Sequence, residues 1–500
     1  MKINKFLVLV MLSGFFACTD LKENLNDDLN FDQADEVLDA GILLSGAYSG
    51  MNGVYHGGGG MWGMNEHSSD EAIAPTRGGD WDDNGAWRQL CLQNWTPEQT
   101  DINNSFNGLL GQIFATTQVL TFGPTPQQEA EAKTLRALHV LNVADLFGQV
   151  PFREPGEDLL LAPRVLNTSE AIDLVLSDVQ ASIPNLPDGP ATLANKDMAK
   201  VLLMKAYLSK GVFADRAAPK FDNADMQKVI SLADEIIGSG KYSLATNYFD
   251  NFAPNNDAIS TENIFTSENV GGSRSNIRFY WFSGLHYNQN PSGWNGFSTL
   301  SDFYDSFEEN DARRSASYPG MTDVSGIKAG FLVGQQYDQN GTALLDRKGN
   351  PLAFTPEVNI VETGNNLEVT GIRVMKYIID YNHGDNADND LVIYRYADVL
   401  LMKAEAMLRT GDAAGALAIV NQIRTARHAS TLGSLNLDEL LAERGRELYW
   451  EGGRRQDLIR FGKFLQAWQT KPASDPKYLL FPIPSSALAV NPNLVQNPGY

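Results

Sequence analysis

Residues 396–427 read YADVLLMKAEAMLRTGDAAGALAIVNQIRTAR. Apolar and small residues recur there at three- and four-residue intervals, the period of a helix with one buried face. Ala404, Met407, Ala416, Val420 and Ile423 occupy that face, and Gly411-Asp412 breaks the run in the middle. A glycine ends a helix and an aspartate opens the next one. The segment therefore predicts two antiparallel helices that approach closely over alanine, with the longer side chains filling the space to their neighbours.

The same pattern returns less regularly elsewhere. KVLLMKAYLSKGVF supplies Ala206, and MQKVISLADEII supplies Val229, Ala233 and Ile236 at matching offsets, with extra residues between the two helices. A third pair is EAKTLRALHVLNVADLF with SEAIDLVLSDVQASI. Repeated helical hairpins with small residues at the crossing are the pattern of tetratricopeptide repeats, which stack because none can bury its apolar face alone. The expected fold is mainly α: a scaffold of such hairpins with long irregular loops and a few short β-hairpins. Two insertions, at about 50–104 and 250–370, are rich in Gly, Asn, Asp and Trp and cannot sustain helix. Within the second, NIRFYWF reads as β-like alternation, and DRKGNPLAF reads as a hairpin.

The chain has 500 residues, 43% of them hydrophobic, and a formal net charge of -22. That charge argues against nucleic acid or an anionic membrane surface as the main partner. Two cysteines, Cys18 and Cys91, provide no disulfide framework. The start, MKINKFLVLVMLSGFFACTD, has two early lysines, an apolar run and a small residue directly before Cys18. This is the layout of a bacterial lipoprotein signal, with residues 1–17 removed and Cys18 lipidated. Residues 18–36 are polar and acidic, as a solvated tether would be, and 37–500 are expected to form a single domain. No later apolar run is long enough to span a bilayer, so the lipid is the expected anchor.

The common local signatures of catalysis are missing. There is no HEXXH, paired CxxC, GxxxxGK[ST] or GxSxG. A glycosidase needs only two placed carboxylates, and Asp70, Glu71, Asp80, Asp82 and Asp83 fall in one loop region. In an acidic chain such clusters are more often solvated or used as helix caps. DYNHGDNADND, 380–390, lacks the spacing of a calcium loop and reads as a polar loop. No metal, cofactor or catalytic residue is expected.

The insertions mix aromatic rings with Asp, Asn, Arg and His. Sugar rings carry apolar C–H faces that stack on Trp and Tyr, while their hydroxyls need polar partners, so this mixture suits carbohydrate. Trp81 and Trp281 are the candidate stacking residues, supported by Tyr280, Trp294, Asp80 and Arg77. Packing within the loop is the competing role for each ring, since Trp is highly buried on average. RELYWEGGRRQDLIRFGKF, 446–464, is dense in charge. Glu451 stands at helical ion-pair offsets from Arg454 and Arg455, provided that Gly452-Gly453 does not break the helix. The stretch is expected to brace the scaffold and not to act on a substrate.

Five segments resemble the SusD/RagB outer-membrane lipoproteins of Bacteroidetes: SSDEAIAPTRGGDWDDNGAW (68–87), EAKTLRALHVLNVADLFGQVPF (131–152), GWNGFSTLSDFYDSFEENDAR (293–313), YRYADVLLMKAEAML (394–408) and ERGRELYWEGGRRQDLIRFGKF (443–464). The ending FPIPSSALAVNPNLVQNPGY is similar too, so the likeness covers essentially the whole chain. The resemblance implies a cell-surface, lipid-anchored protein of the outer membrane that binds polysaccharide or oligosaccharide without cleaving it. It also implies that the protein caps a SusC-like TonB-dependent transporter. One branch of the family imports peptides, which is the alternative ligand class. Four helical hairpins are usual in the family. The fourth here would come from 100–120 or from LDELLAERGRELYWEG.

Overall fold

The computed structural model describes residues 39–500, of which Ala40–Tyr500 form one compact unit. The expected signal peptide and tether, with Cys18, lie outside the described residues. The scaffold helices are α1 (Ala40–Tyr55), α2 (Thr100–Thr121), α3 (Pro126–Phe147), α4 (Thr168–Ser182), α5 (Lys196–Ala214), α6 (Asn223–Gly238), α7 (Tyr396–Arg409), α8 (Ala413–Ala426), α9 (Leu437–Leu448) and α10 (Arg454–Arg460). Each of α1 to α7 packs on the next, and α7 also packs on α9. The fourth hairpin is thus α1 with α2, and α9 stands outside the row.

Local chemistry sets the helix ends. Asn167 with Glu170 and Thr125 with Gln128 form capping boxes at α4 and α3, where Pro126 occupies the first turn. In the quoted hairpin, Asp412 caps α8 by accepting from Gly415 N–H at 2.9 Å. A Cβ on Gly415 would lie 2.2 Å from Met407 Cε, so a larger residue there would push the Met407 side chain aside where α7 and α8 meet. Ala404 and Ala416 are fully buried, as the spacing predicts.

The strands are few and short, and the insertion at 50–104, expected not to sustain helix, holds short helices at Met61–His67 and Ala86–Cys91. β1 (Gln149–Phe152) pairs antiparallel with β2 (Arg164–Asn167), and β3 (Asn263–Ser267) with β4 (Leu391–Arg395). DRKGNPLAF does turn back on itself, with Asp346 N–H donating to Asn350 O at 2.8 Å and Leu345 bridged to Pro351. NIRFYWF does not form a strand: Phe279–Phe282 is a helical turn. Four residues are too few to separate a period of two from one of 3.6.

The charged stretch 446–464 differs from the continuous helix that its spacing allows. α9 stops at Leu448, Trp450 and Gly452 take positive φ of 58° and 79°, and α10 starts at Arg454. Arg454 therefore pairs with Asp70 at 2.7 Å, and Arg455 with Asp145 at 3.4 Å, not with Glu451. Glu451 pairs with Lys376 and Arg395. Glu447 Oε1 accepts from Arg395 at 2.7 Å and Arg427 at 2.9 Å, and its Oε2 accepts from Arg313 at 2.9 Å. Glu262, Glu443 and Asp311 belong to the same buried set. Burial alone would raise the carboxyls, but the three guanidiniums hold Glu447 well below the usual range, and Glu443 is held at about 2.

Removing one partner of such a set leaves a buried charge uncompensated, which costs about 3–5 kcal/mol. Glu447→Gln is therefore expected to lower stability by about that amount, read from the midpoint of urea unfolding.

A second carboxyl group behaves oppositely. Glu66 accepts Gly452 N–H at 2.5 Å, and burial pushes its pKa up from 4.5 to about 7, against the pull of that N–H and Lys376. A folded state that holds the proton longer loses stability as pH rises from 4.5 to about 7. Asp390, also pushed up to about 7 by burial, adds to the same slope. Urea midpoints of Glu66→Gln across this range should fall less steeply than those of the native chain, with the Asp390 share retained.

Candidate functional site

The motif RGGDW builds the first wall of the site. Arg77 and Asp80 exchange backbone hydrogen bonds at 3.0 and 3.1 Å around Gly78-Gly79, a tight turn in which Gly78 takes φ of 69°. The turn leaves Asp80 exposed and Trp81 half-buried, the latter at φ of 60°. Trp81 lies over Gly296, where a Cβ would come within 2.2 Å of the indole, and against the Phe297 ring at 4.9 Å. Its Nε1–H donates to the Trp294 carbonyl at 3.0 Å. The short chain segment from Phe282 to Gly296 doubles back, with Trp294 N–H donating to Phe282 O at 2.6 Å.

Trp294 is the exposed ring of this group, at 41%. One face stacks on Phe282 at 5.6 Å and 20°, and Phe279 meets it edge-on at 5.9 Å. The Arg278 guanidinium covers Phe282 at 5.5 Å and pairs with Asp385. At the other side, Tyr287 donates its hydroxyl to Asp80 Oδ2 at 3.1 Å. Burial and the Asp80 carboxylate raise the Tyr287 pKa, so the phenol keeps its proton. Arg347 lies over the Tyr287 ring at 3.8 Å and donates to Glu368 at 2.7 Å. The result is a surface with an aromatic face bordered by a phenol, carboxylates and two guanidiniums held in fixed positions. Such a surface can stack on a ring and exchange hydrogen bonds with hydroxyls.

Of the six residues singled out in the sequence, the structure brings Trp81, Asp80 and Trp294 together on this surface. It places the other three inside. Trp281 is 1% exposed and Tyr280 2%, because the helical turn points both rings inward, Tyr280 against Trp62 at 4.8 Å and Tyr377 at 5.0 Å. A ring without an exposed face cannot stack on a ligand, so the stacking role of Trp281 is corrected. Arg77 is buried and works from beneath: it donates to Leu367 O and Thr370 O, both at 2.8 Å, and to Ser298 Oγ at 3.1 Å. Phe282, Arg278 and Arg347 were not singled out. A helical reading of FYWF would have turned Phe282 outward as it turned Trp281 in; nothing local marks Arg347.

The carboxylates of 68–87 are engaged in local contacts: Asp70 with Arg454, Glu71 with Trp450 N–H, Asp80 with Tyr287, Asp82 with Arg88 and Asp83 with Trp87. In 380–390, Asp380 accepts from Asn382 and Asp388 N–H and Asp390 from Asn269 N–H, so these groups hold the loop. No group of three or more metal-ligating side chains occurs among the described residues. A cleft of about 1170 Å³, part of it open to solvent, lies between α3, α5, α7 and α10 and is bordered by Tyr55, Trp62, Tyr280 and Tyr394. Its charges are matched internally, Lys205 with Asp398 and Arg444 with Asp457. Trp294 is not part of its wall, and we place the candidate site on the outer aromatic surface instead.

The sequence model of the SusD family matches residues 234–500, and the chain belongs to that family. The starch-binding protein SusD of Bacteroides thetaiotaomicron is 27% identical over 93% of this chain and 89% of its own. Among solved structures, a SusD superfamily protein from Parabacteroides distasonis has a TM-score of 0.72 at 21% identity, covering 92% of this chain and 98% of that one. Surface glycan-binding protein A from Bacteroides thetaiotaomicron in complex with laminarihexaose has a TM-score of 0.68 at 18% identity, with the same coverage. These structures share its fold over that span.

The two tryptophans should separate cleanly in the laboratory. Trp281→Ala is expected to cost about 3–5 kcal/mol, as core Trp truncations do. Trp294→Ala should melt within a degree or two of the native chain, because its ring is already half in solvent.

Proposed function

We propose that this protein captures polysaccharide or oligosaccharide at the cell surface and hands it, uncleaved, to a SusC-like TonB-dependent transporter. The free face of Trp294, backed by Phe282 and locked beside Trp81 by an indole-to-carbonyl hydrogen bond, is the observation that carries the reading. A sugar ring stacks on Trp294, while Asp80, Tyr287 and Arg347 exchange hydrogen bonds with its hydroxyls. The starch-binding name of one relative and the laminarihexaose bound by another support a glycan ligand. The carboxylates near the surface are engaged in loop and ion-pair contacts, which supports binding without hydrolysis.

Cys18 carries the lipid that holds the chain to the outer membrane, with 18–36 as the tether. Among the described residues no helix is long and apolar enough to cross a membrane, in keeping with that mode of attachment.

Titration calorimetry of residues 19–500 against fructan, β-glucan, alginate, α-mannan and starch oligosaccharides tests the proposal. One of them should give saturable heat and emerge unshortened on chromatography. Trp294→Ala should weaken that binding at least tenfold, about 1.4 kcal/mol, with melting unchanged. Silence toward every glycan together with heat from peptides would overturn it, as would shortened products.

A further inference from the structure

The loop joining β1 to β2 exposes three consecutive leucines. Leu159, Leu160 and Leu161 are 56%, 94% and 62% exposed. The last segment of the chain runs alongside: the side chain of Gln149 exchanges hydrogen bonds with the Val495 backbone, and Asn491 and Asn493 donate to Pro163 O. It adds Val490 at 79% and Val495 at 68%. A single exposed leucine needs no explanation, but three in succession, with two exposed valines on the segment that borders the hairpin, are a candidate interaction site.

The loop is built to hold this display. The Arg153 guanidinium donates to the carbonyls of Asp158, Leu159 and Leu161, Glu157 accepts Glu154 N–H at 2.9 Å, and Asp158 accepts Leu160 N–H at 2.9 Å. These bonds fix the backbone while leaving the leucine side chains outward. An ordering cost already met within the free protein raises the affinity of whatever covers the leucines.

We propose that this patch docks a partner protein whose surface offers an apolar socket with a basic rim. The inference rests on the function proposed above, under which that partner is the transporter. Charge selects the occupant. Glu154, Glu157 and Asp158 are exposed beside the leucines; Glu154 is matched by Arg164 at 2.8 Å, whereas Glu157 and Asp158 have no ion pair among the described residues. Unmatched acids repel an anionic lipid surface. In a two-fold contact between copies of this chain they would face their own images. No aromatic ring is exposed at the loop tip to stack on a sugar. A basic rim on a different protein satisfies both the acids and the leucines.

The test is co-purification from detergent-solubilised outer membranes of the producing organism, with the tagged full chain as bait and barrel proteins identified by mass spectrometry. The native chain should bring down a TonB-dependent barrel. The triple variant Leu159→Ser, Leu160→Ser, Leu161→Ser should bring down at least tenfold less, with unchanged melting and unchanged glycan heat. Equal yield with the variant overturns the docking patch and leaves the transporter reading standing. No barrel with the native chain overturns both, while the glycan titration stands or falls by itself. Leucine-dependent flotation of residues 19–500 with phosphatidylethanolamine vesicles, or a leucine-dependent dimer by light scattering, would assign the patch to lipid or to a second copy and overturn the proposal.

Discussion

The interior of this protein is organised around the Glu447 carboxylate, which three arginines from distant parts of the chain surround. Arg313 comes from the second insertion, Arg395 from the end of β4 and Arg427 from the end of α8. Glu262, in the loop before β3, bridges Arg395 and Arg427. None of these side chains reaches water. Asp311 and Glu451 also pair with Arg313 and Arg395, and Arg424 and Arg446 with Glu443, so every charge in the set is matched only when each contributing segment is in place. Removing one partner leaves a buried charge uncompensated, at about 3–5 kcal/mol. The set therefore fixes where the insertions sit on the helical scaffold, which hydrophobic packing alone would leave less defined.

A second group of arginines governs the candidate site by a different means. Arg77 and Arg373 are buried and meet carbonyls and hydroxyls, not carboxylates. Arg373 donates to Ser298 Oγ at 2.6 Å, Gly371 O at 2.7 Å and Asn295 Oδ1 at 2.9 Å. Burial pushes Arg77 down to about 10, and it lowers Arg373 too, with Arg77 as a like-charged neighbour. Their donors hold the 295–298 and 367–371 backbones in register beneath Trp81 and Trp294. The exposed aromatic face is thus a consequence of buried polar contacts one layer down. Arg77, a ligand candidate by its position in the RGGDW motif, serves the ligand surface from behind.

The helical scaffold was legible because small and apolar residues at a 3.6-residue period carry their own explanation, as Ala404, Ala416 and Val420 do. The insertions were less so. Gly78-Gly79 announces a turn, and the turn presents Asp80 and Trp81, but nothing in the sequence pairs Trp81 with a carbonyl 213 residues away. NIRFYWF alternates over too few residues to separate strand from helix, and its Phe279–Phe282 part folds as a helical turn in its tertiary setting. The ionic stretch was assigned to structure correctly for the wrong contacts: local pairs were the only ones that spacing could suggest, while the real partners of Arg454 and Arg455 lie 384 and 310 residues away.

The strength of the candidate site follows from its geometry. Trp294 offers one face, and Arg278 and Arg347 cover Phe282 and Tyr287, so a single sugar gains one stacking contact and a few solvent-exposed hydrogen bonds. After desolvation and ordering costs such a site is weak toward a monosaccharide. Weakness suits the proposed role. A polymer can occupy neighbouring proteins at once and be held by avidity, because each further engagement is intramolecular once the first has formed. A single chain end still dissociates fast enough to enter a transporter. A deep pocket that enclosed each sugar would raise affinity at the expense of release, and the outer aromatic surface, set on a rigid frame and open to solvent, avoids that trade.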